Sequence, residues 1–192
     1  MQKCDEIGED TVAVTMDELA REVLLFGSIT SESASQTILS IRQLDRAEKK
    51  NIHLIISSGG GSEPAGWAIY DALCLTRCKV IGHCFGECMS IAALILQGCD
   101  SRLLSPNTRF MIHNGMVAYN GPLDKVRIAL VEENFLTQMY YEKLAEKSNL
   151  SIDKVKNLCD SETYLSAEEA VKAGFADGIL GQMKKAKRKV RK

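Results

Sequence analysis

Three kinds of residue in this chain could combine to attack a carbonyl group. Ser90 stands in FGECMSIAALIL, where an apolar strand pattern over Lys79 to Phe85 gives way, past Gly86, to an apolar helix pattern from Met89 to Gln97. A serine at such a helix start lies at the carboxyl edge of a sheet, near unpaired amides and the positive end of the helix dipole, where developing negative charge is favoured. Gly59, Gly60 and Gly61 precede the previous helix. Glycines there let backbone N–H groups turn into a shared cavity and let a peptide lie close against the main chain, which is how an oxyanion is held. His113 ends the stretch Arg109-Phe110-Met111-Ile112 and is followed by Asn114-Gly115, so it offers an imidazole base at a strand end. Each feature also has a plainer reading: an N-cap, a turn, a packed and hydrogen-bonded ring. The serine pentapeptide of hydrolase elbows is absent.

The elements that must position these residues alternate along the chain. Glu22 to Gly27 reads as a strand stopped by glycine, and Ser31 to Lys49 as a helix with Ala34, Ile38, Ile41 and Leu44 at helical spacing. Ile52 to Ile56 is an almost unbroken apolar strand of the kind buried on both faces of a parallel sheet. A helix then starts near Pro64 and runs to about Thr76. Short strands follow at Ser101 to Leu104 and Arg109 to Ile112. This order predicts an α/β domain with a largely parallel sheet. After Pro122 one long helix is expected to about Ser148, with Val126, Leu130, Val131, Phe135, Met139 and Leu144 among its apolar positions. It exceeds what a small sheet needs, so it is expected to project and to need a partner for its leftover apolar surface, most simply a second copy. Ser151 to Leu158 and Ala167 to Ala173 read as short helices, the second closed by Gly174.

A length of 192 residues suits one such domain. The expected division is an N-terminal segment over 1–22, the domain over 23–183 with its long helix at about 123–148, and a tail over 184–192. The start, MQKCDEIGEDTVAV, has no apolar run after its lysine, and no segment reaches the length of a membrane span, so the expectation is a cytoplasmic protein with no membrane partner. The seven cysteines then read as reduced thiols. Cys74, Cys78, Cys84 and Cys88 have three residues between the partners of each pair, not the two of common zinc knuckles, and fall within apolar patterns. They read as small buried hydrophobes, and neither a metal nor a cofactor is expected. The net charge of −1 divides into −8 on residues 1–183 and +7 on the tail KKAKRKVRK. That tail is a candidate contact for an acidic surface or nucleic acid, or simply a solvated end; nucleic acid is not taken as an expected partner.

The blocks Ile56-Ser57-Ser58-Gly59-Gly60-Gly61, Ala65-Gly66, Ile69-Tyr70-Asp71, Gly86-Glu87-Cys88-Met89-Ser90, Leu104-Ser105-Pro106-Asn107, Arg109 to His113, Tyr164 to Ala170 and Gly174-Phe175-Ala176-Asp177 resemble, in order and spacing, those of the ClpP family of serine peptidases. The resemblance extends from about Val23 to Leu180. It implies the ClpP/crotonase fold, with repeated β-β-α and βαβ units and a protruding handle helix. It implies Ser90 as nucleophile, His113 as general base, and the N–H groups of Gly61 and Ile91 as oxyanion hole. It also implies an ATP-dependent endopeptidase acting on unfolded proteins or peptides inside two stacked heptameric rings, a tetradecamer fed by a Clp-type AAA+ ATPase.

Three departures qualify what the resemblance implies. Most family members have aspartate two positions before the aromatic residue that matches Tyr164; this chain has Glu162 there, with Asp160 two residues earlier. Read as an extended segment, 160–162 would put both acids on one face, and Glu162 is taken as the third catalytic member. The strand before the glycine loop carries His53 and Ile55 where the family presents aromatic residues to the ATPase, so the docking pocket for the ATPase is altered. The segment before Val23 is shorter than the family's axial-pore hairpin, and Met16 to Arg21 reads as a single helical turn. These last two features are similar to ClpP-like proteases of phages and prophages, some of which mature procapsids. The rivals are a phage prohead protease, a non-catalytic structural ring subunit, and a crotonase-like acyl-CoA enzyme, which would use acids where this chain has Ser90 and His113.

Overall fold

The computed structural model describes residues 13–115 and 118–182, so the basic tail lies outside the described residues, as do residues 1–12. The strand β1 (Ala13–Asp17) pairs antiparallel with β2 (Glu22–Phe26). This corrects the helical turn expected from Met16 to Arg21. Val14 and Met16 alternate inward onto the core while Thr15 and Asp17 stay exposed, a period of two that suits a strand. Asp17 closes the turn by accepting the Ala20 N–H at 2.9 Å. Arg21, at φ 57°, brings the chain back, and its guanidinium donates to the carbonyls of Leu44 and Glu48 at the end of helix α1 (Ser31–Ala47).

The main sheet runs β1-β2-β3-β4-β5-β8, with β3 at Ile52–Ser58, β4 at Val80–Met89, β5 at Ser101–Leu104 and β8 at Gly178–Ile179. From β2 to β8 all neighbours are parallel, as the alternation of elements predicted. Helices α1, α2 (Glu63–Leu75) and α3 (Ile91–Gln97) pack side by side. Their Ile41, Leu44, Ile69 and Leu94 join Val23, Leu54, Ile56 and Val80 in one buried cluster. The strand β3 is therefore buried on one face only: Ile52, Leu54 and Ile56 are sealed, whereas His53 and Ile55 are half-exposed. Burial on both faces, expected from its composition, requires helices on both sides of the sheet. Here Leu24, His53, Ile55, Ile81 and His83 form a second, half-open face, with the His53 and His83 rings joined Nδ1 to Nε2 at 2.9 Å.

The strand β4 runs past Gly86, which takes φ 67°, and divides its partners. Ile81 to Cys84 pair with β5, and Glu87 to Met89 pair with β6 (Arg109–Ile112). Antiparallel to β6 lies β7 (Thr163–Leu165). Arg102 on β5 ties the far side together. Its guanidinium, one-tenth exposed, meets Asp177 through two bonds of 2.6 and 3.2 Å, and donates to Gln97 and to the carbonyls of Lys147 and Gly174. Helix α6 (Ala167–Ala173) ends on Gly174 at φ 85°, the left-handed cap expected of that glycine.

Helix α4 (Leu123–Glu146) is 24 residues long, followed by α5 (Ile152–Asp160). Of α4, only Tyr140, Tyr141 and Leu144 are buried, all in its last two turns. Leu123, Ile128, Val131 and Phe135 are each more than three-fifths exposed. Cys78, Cys84, Cys88, Cys99 and Cys159 are free and buried, and Cys74 is free and exposed; burial pushes the Cys84 thiol well up. Among the described residues, no helix is long and apolar enough to cross a membrane.

Candidate active site

Ser90 occupies the one residue between β4 and α3, the N-cap position, yet its side chain makes no capping bond. Its hydroxyl is turned the other way and lies 2.9 Å from His113 Nε2. With Nε2 unprotonated, the serine hydroxyl donates and the imidazole accepts. The plain N-cap reading of Ser90 and the packed-ring reading of His113 both give way to this contact. The turn that makes it possible is strained: Ser90 takes φ 55° and ψ −127°, a conformation a residue with a side chain seldom adopts. It is held from two sides. Its N–H donates to Met111 O at 2.9 Å, two residues before His113, and Tyr140 on α4 donates its hydroxyl to Ser90 O at 3.3 Å.

The glycine loop sits against this turn for steric reasons. A Cβ on Gly60 would lie 2.7 Å from Ser90 Cβ, and one on Gly61 2.4 Å from Ile29 O. Ile29 N–H donates to Gly60 O and Ser62 N–H donates to Ile29 O, so this short parallel bridge uses the groups on either side of Gly61. The N–H of Gly61 is left off that ladder and has no acceptor among the described residues. Ile91 is the first residue of α3, and its N–H, like every N–H of a first helical turn, has no acceptor inside the helix. Gly66 seats this helix start, since a Cβ there would meet Ile91 Cγ1 at 2.1 Å. Gly61, Ile91, Ser90 and His113 all line one cavity of about 510 Å³. Two free amides and a serine–imidazole pair in one cavity can activate a hydroxyl and hold the oxyanion it creates.

The acidic residues lie on the same side of the fold but face other partners. Residues 160–162 are a helix end and a turn, not the extended segment expected: Asp160 closes α5, and Glu162 takes φ 45° with its N–H on Cys159 O. The two side chains therefore diverge. Asp160 accepts from Asn114 Nδ2 at 2.8 Å, and Asn114 in turn accepts from the Tyr141 hydroxyl, which anchors the chain just after His113. Glu162 accepts from the Tyr164 hydroxyl at 3.0 Å. Among the described residues, Ser90 is the hydrogen-bond partner of the His113 ring.

Two cavity residues escaped the reading of the sequence. Glu63, in the first turn of α2, and Glu133, on α4, both line the cavity of Ser90. Glu63 accepts from the Trp67 indole at 3.4 Å and Glu133 from the Tyr119 hydroxyl at 3.2 Å. Burial pushes the Glu63 carboxyl up; the Trp67 bond opposes this and the charge of Glu133 adds to it. In the sequence, Glu63 looks like an ordinary dipole-matching acid and Glu133 like part of a solvated helix face.

Comparison with known proteins supplies the frame for this chemistry: the Clp protease family matches residues 7–183. The match takes in every strand and helix of the fold and every residue of the cavity, so the chain belongs to the Clp protease family and is, in general terms, a peptidase of that type.

Proposed function

We propose that the protein is a serine endopeptidase that hydrolyses peptide bonds in unfolded proteins or peptides, with Ser90 as nucleophile and His113 as general base. The observation that carries this reading is the 2.9 Å contact between Ser90 Oγ and His113 Nε2 in a cavity with two free amides. In the acylation step His113 takes the hydroxyl proton as Oγ attacks the carbonyl carbon. The N–H groups of Gly61 and Ile91 stabilise the oxyanion, and His113 returns the proton to the leaving amine. Water, activated by the same imidazole, then releases the acyl group. Glu162 serves as the third member: it leaves the Tyr164 hydroxyl, accepts a hydrogen bond from His113 Nδ1–H and stabilises the imidazolium while staying ionised. Its support is its place two residues before Tyr164.

Assembly belongs to the same reading. The exposed Leu123, Ile128, Val131 and Phe135 on α4 make it a handle between copies of this chain, in two stacked heptameric rings around an enclosed chamber. Feeding by a Clp-type ATPase would engage the half-open sheet face, where His53 and Ile55 stand in place of the family's aromatic residues and His53 is paired with His83. The test of the chemistry is labelling with a fluorophosphonate probe. The intact protein should be modified at Ser90, and the His113→Ala variant modified far more slowly. Absence of labelling in a folded protein overturns the proposal.

A further inference from the structure

The two glutamates of the cavity have no role in the chemistry just described, yet they stand in its walls. Both carboxylates converge on one point: a Cβ on Gly115, two residues after His113, would lie 3.9 Å from Glu63 Oε2 and 4.0 Å from Glu133 Oε1. Their partners are neutral donors, the Trp67 indole and the Tyr119 phenol. None of the ion pairs among the described residues involves either of them. Lys143 borders the neighbouring cavity that Glu63 and Glu133 also line, but its ammonium is 2.9 Å from Glu146. Among the described residues the site therefore carries two carboxyl groups with no ion-pair partner, and part-burial of Glu63 makes a charge there costly.

The remaining walls narrow the ligand class. Ile91, Met111 and the ring of Tyr140 line the same cavity as the two carboxylates and give it an apolar wall. A long aliphatic side chain ending in a cation matches both features: methylenes against the apolar wall and a charge between the acids. An acidic substrate side chain is repelled. An apolar one of similar length covers the apolar wall but leaves both carboxylates with less water and no counter-charge.

We infer that Glu63 and Glu133 are specificity-determining residues that select lysine or arginine as the substrate residue contributing the attacked carbonyl. The inference rests on the peptidase reading of Ser90 and His113 and adds the substrate class to it.

The test is a set of fluorogenic peptides identical except for Arg, Lys, Leu or Glu at the residue before the reporter. The basic peptides should exceed the Leu peptide in kcat/KM by about 10–100-fold, and the Glu peptide should be cut most slowly. In Glu63→Gln/Glu133→Gln the Arg-to-Leu ratio should fall by at least about tenfold. A ratio within one enzyme is insensitive to partial loss of folded protein. Where turnover is too slow to measure, the rates at which Arg- and Leu-bearing peptidyl phosphonates label Ser90 give the same ratio. Hydrolysis or labelling with Leu equal to or ahead of Arg, or a ratio unchanged in the double variant, overturns the specificity and leaves the peptidase reading standing. Failure of every substrate and of fluorophosphonate labelling overturns the peptidase reading itself, and the specificity with it.

Discussion

The two sides of the cavity are built differently. On the sheet side, Ser90 is fixed by the Met111 carbonyl, by Gly60 packed against its Cβ, and by an imidazole at hydrogen-bond distance; behind it α3 is buried throughout and β6 from Phe110 to Ile112. On the other side, Glu162 sits on an exposed turn with Tyr164, and Glu133 sits on a stretch of α4 whose apolar neighbours face outward. The contrast teaches that the strained, high-precision half of the site is set by the core of one chain. The acids proposed to orient the base and to receive the substrate side chain stand on segments with few buried contacts.

The comparison can be broken most directly at its rigid side. Ser90→Ala should abolish peptide hydrolysis, a loss of about 10⁴-fold or more, with circular dichroism and particle size unchanged; substantial turnover by the purified variant would remove the nucleophile from the scheme. On the exposed side, Glu162→Gln should lower kcat by about 10²–10⁴-fold with KM little altered, while Asp160→Asn should be mild because it only loosens Asn114. The reverse pattern transfers the orienting role to Asp160, and two mild effects mean a serine–histidine dyad.

Gly60→Ala tests whether precision resides in the core. The new methyl would meet Ser90 Cβ at 2.7 Å on a backbone at φ 105°. It should cost about 10²-fold in kcat through displacement of the nucleophile, and about 1–3 kcal/mol in stability, read by denaturant unfolding. On α4, Val131→Asp with Phe135→Asp should shift sedimentation toward smaller particles and leave the melting temperature of the chain within a few degrees, because both residues are largely exposed. An unchanged particle would exclude this helix face from assembly.

The smallest effect lies outside both sides, on the open sheet face. Burial first, and then the neighbouring His53 charge, hold the His83 imidazole below its ordinary pKa, with Glu22 opposing. The folded state therefore favours the neutral ring. That contribution is full above the unfolded value near 6.5 and is lost as pH falls through the lowered one. A fall in Tm of about a degree or two between pH 7.5 and 5.5, reduced in His83→Ile, is the expected result. An identical fall in the variant would assign it to other groups.

Much of this was legible in the chain itself. Alternating apolar patterns determined the α/β order, the parallel sheet, the extent of α4 and the glycine cap at Gly174, because helix and strand periodicities are local properties of side-chain spacing. The residue types and spacing around Ser90, Gly61 and His113 pointed to acyl chemistry for the same reason: each sits where an element begins or ends. Local pattern failed where a choice depended on distant neighbours. Met16 to Arg21 has helical composition, yet Met16 and Asp17 end a strand and 18–21 form the hairpin turn, because β2 offers backbone partners and a core for Val14 and Met16. Composition made β3 look buried on both faces, and only the placement of α1 to α3 on one side left His53 beside His83. The acids depended most on tertiary structure. The turn at 160–162 sends Asp160 to Asn114 and Glu162 to Tyr164, and Glu63 meets Glu133 at Gly115 across 70 positions of sequence. Side chains that far apart in the chain converge only through packing, so no spacing in the sequence announces them.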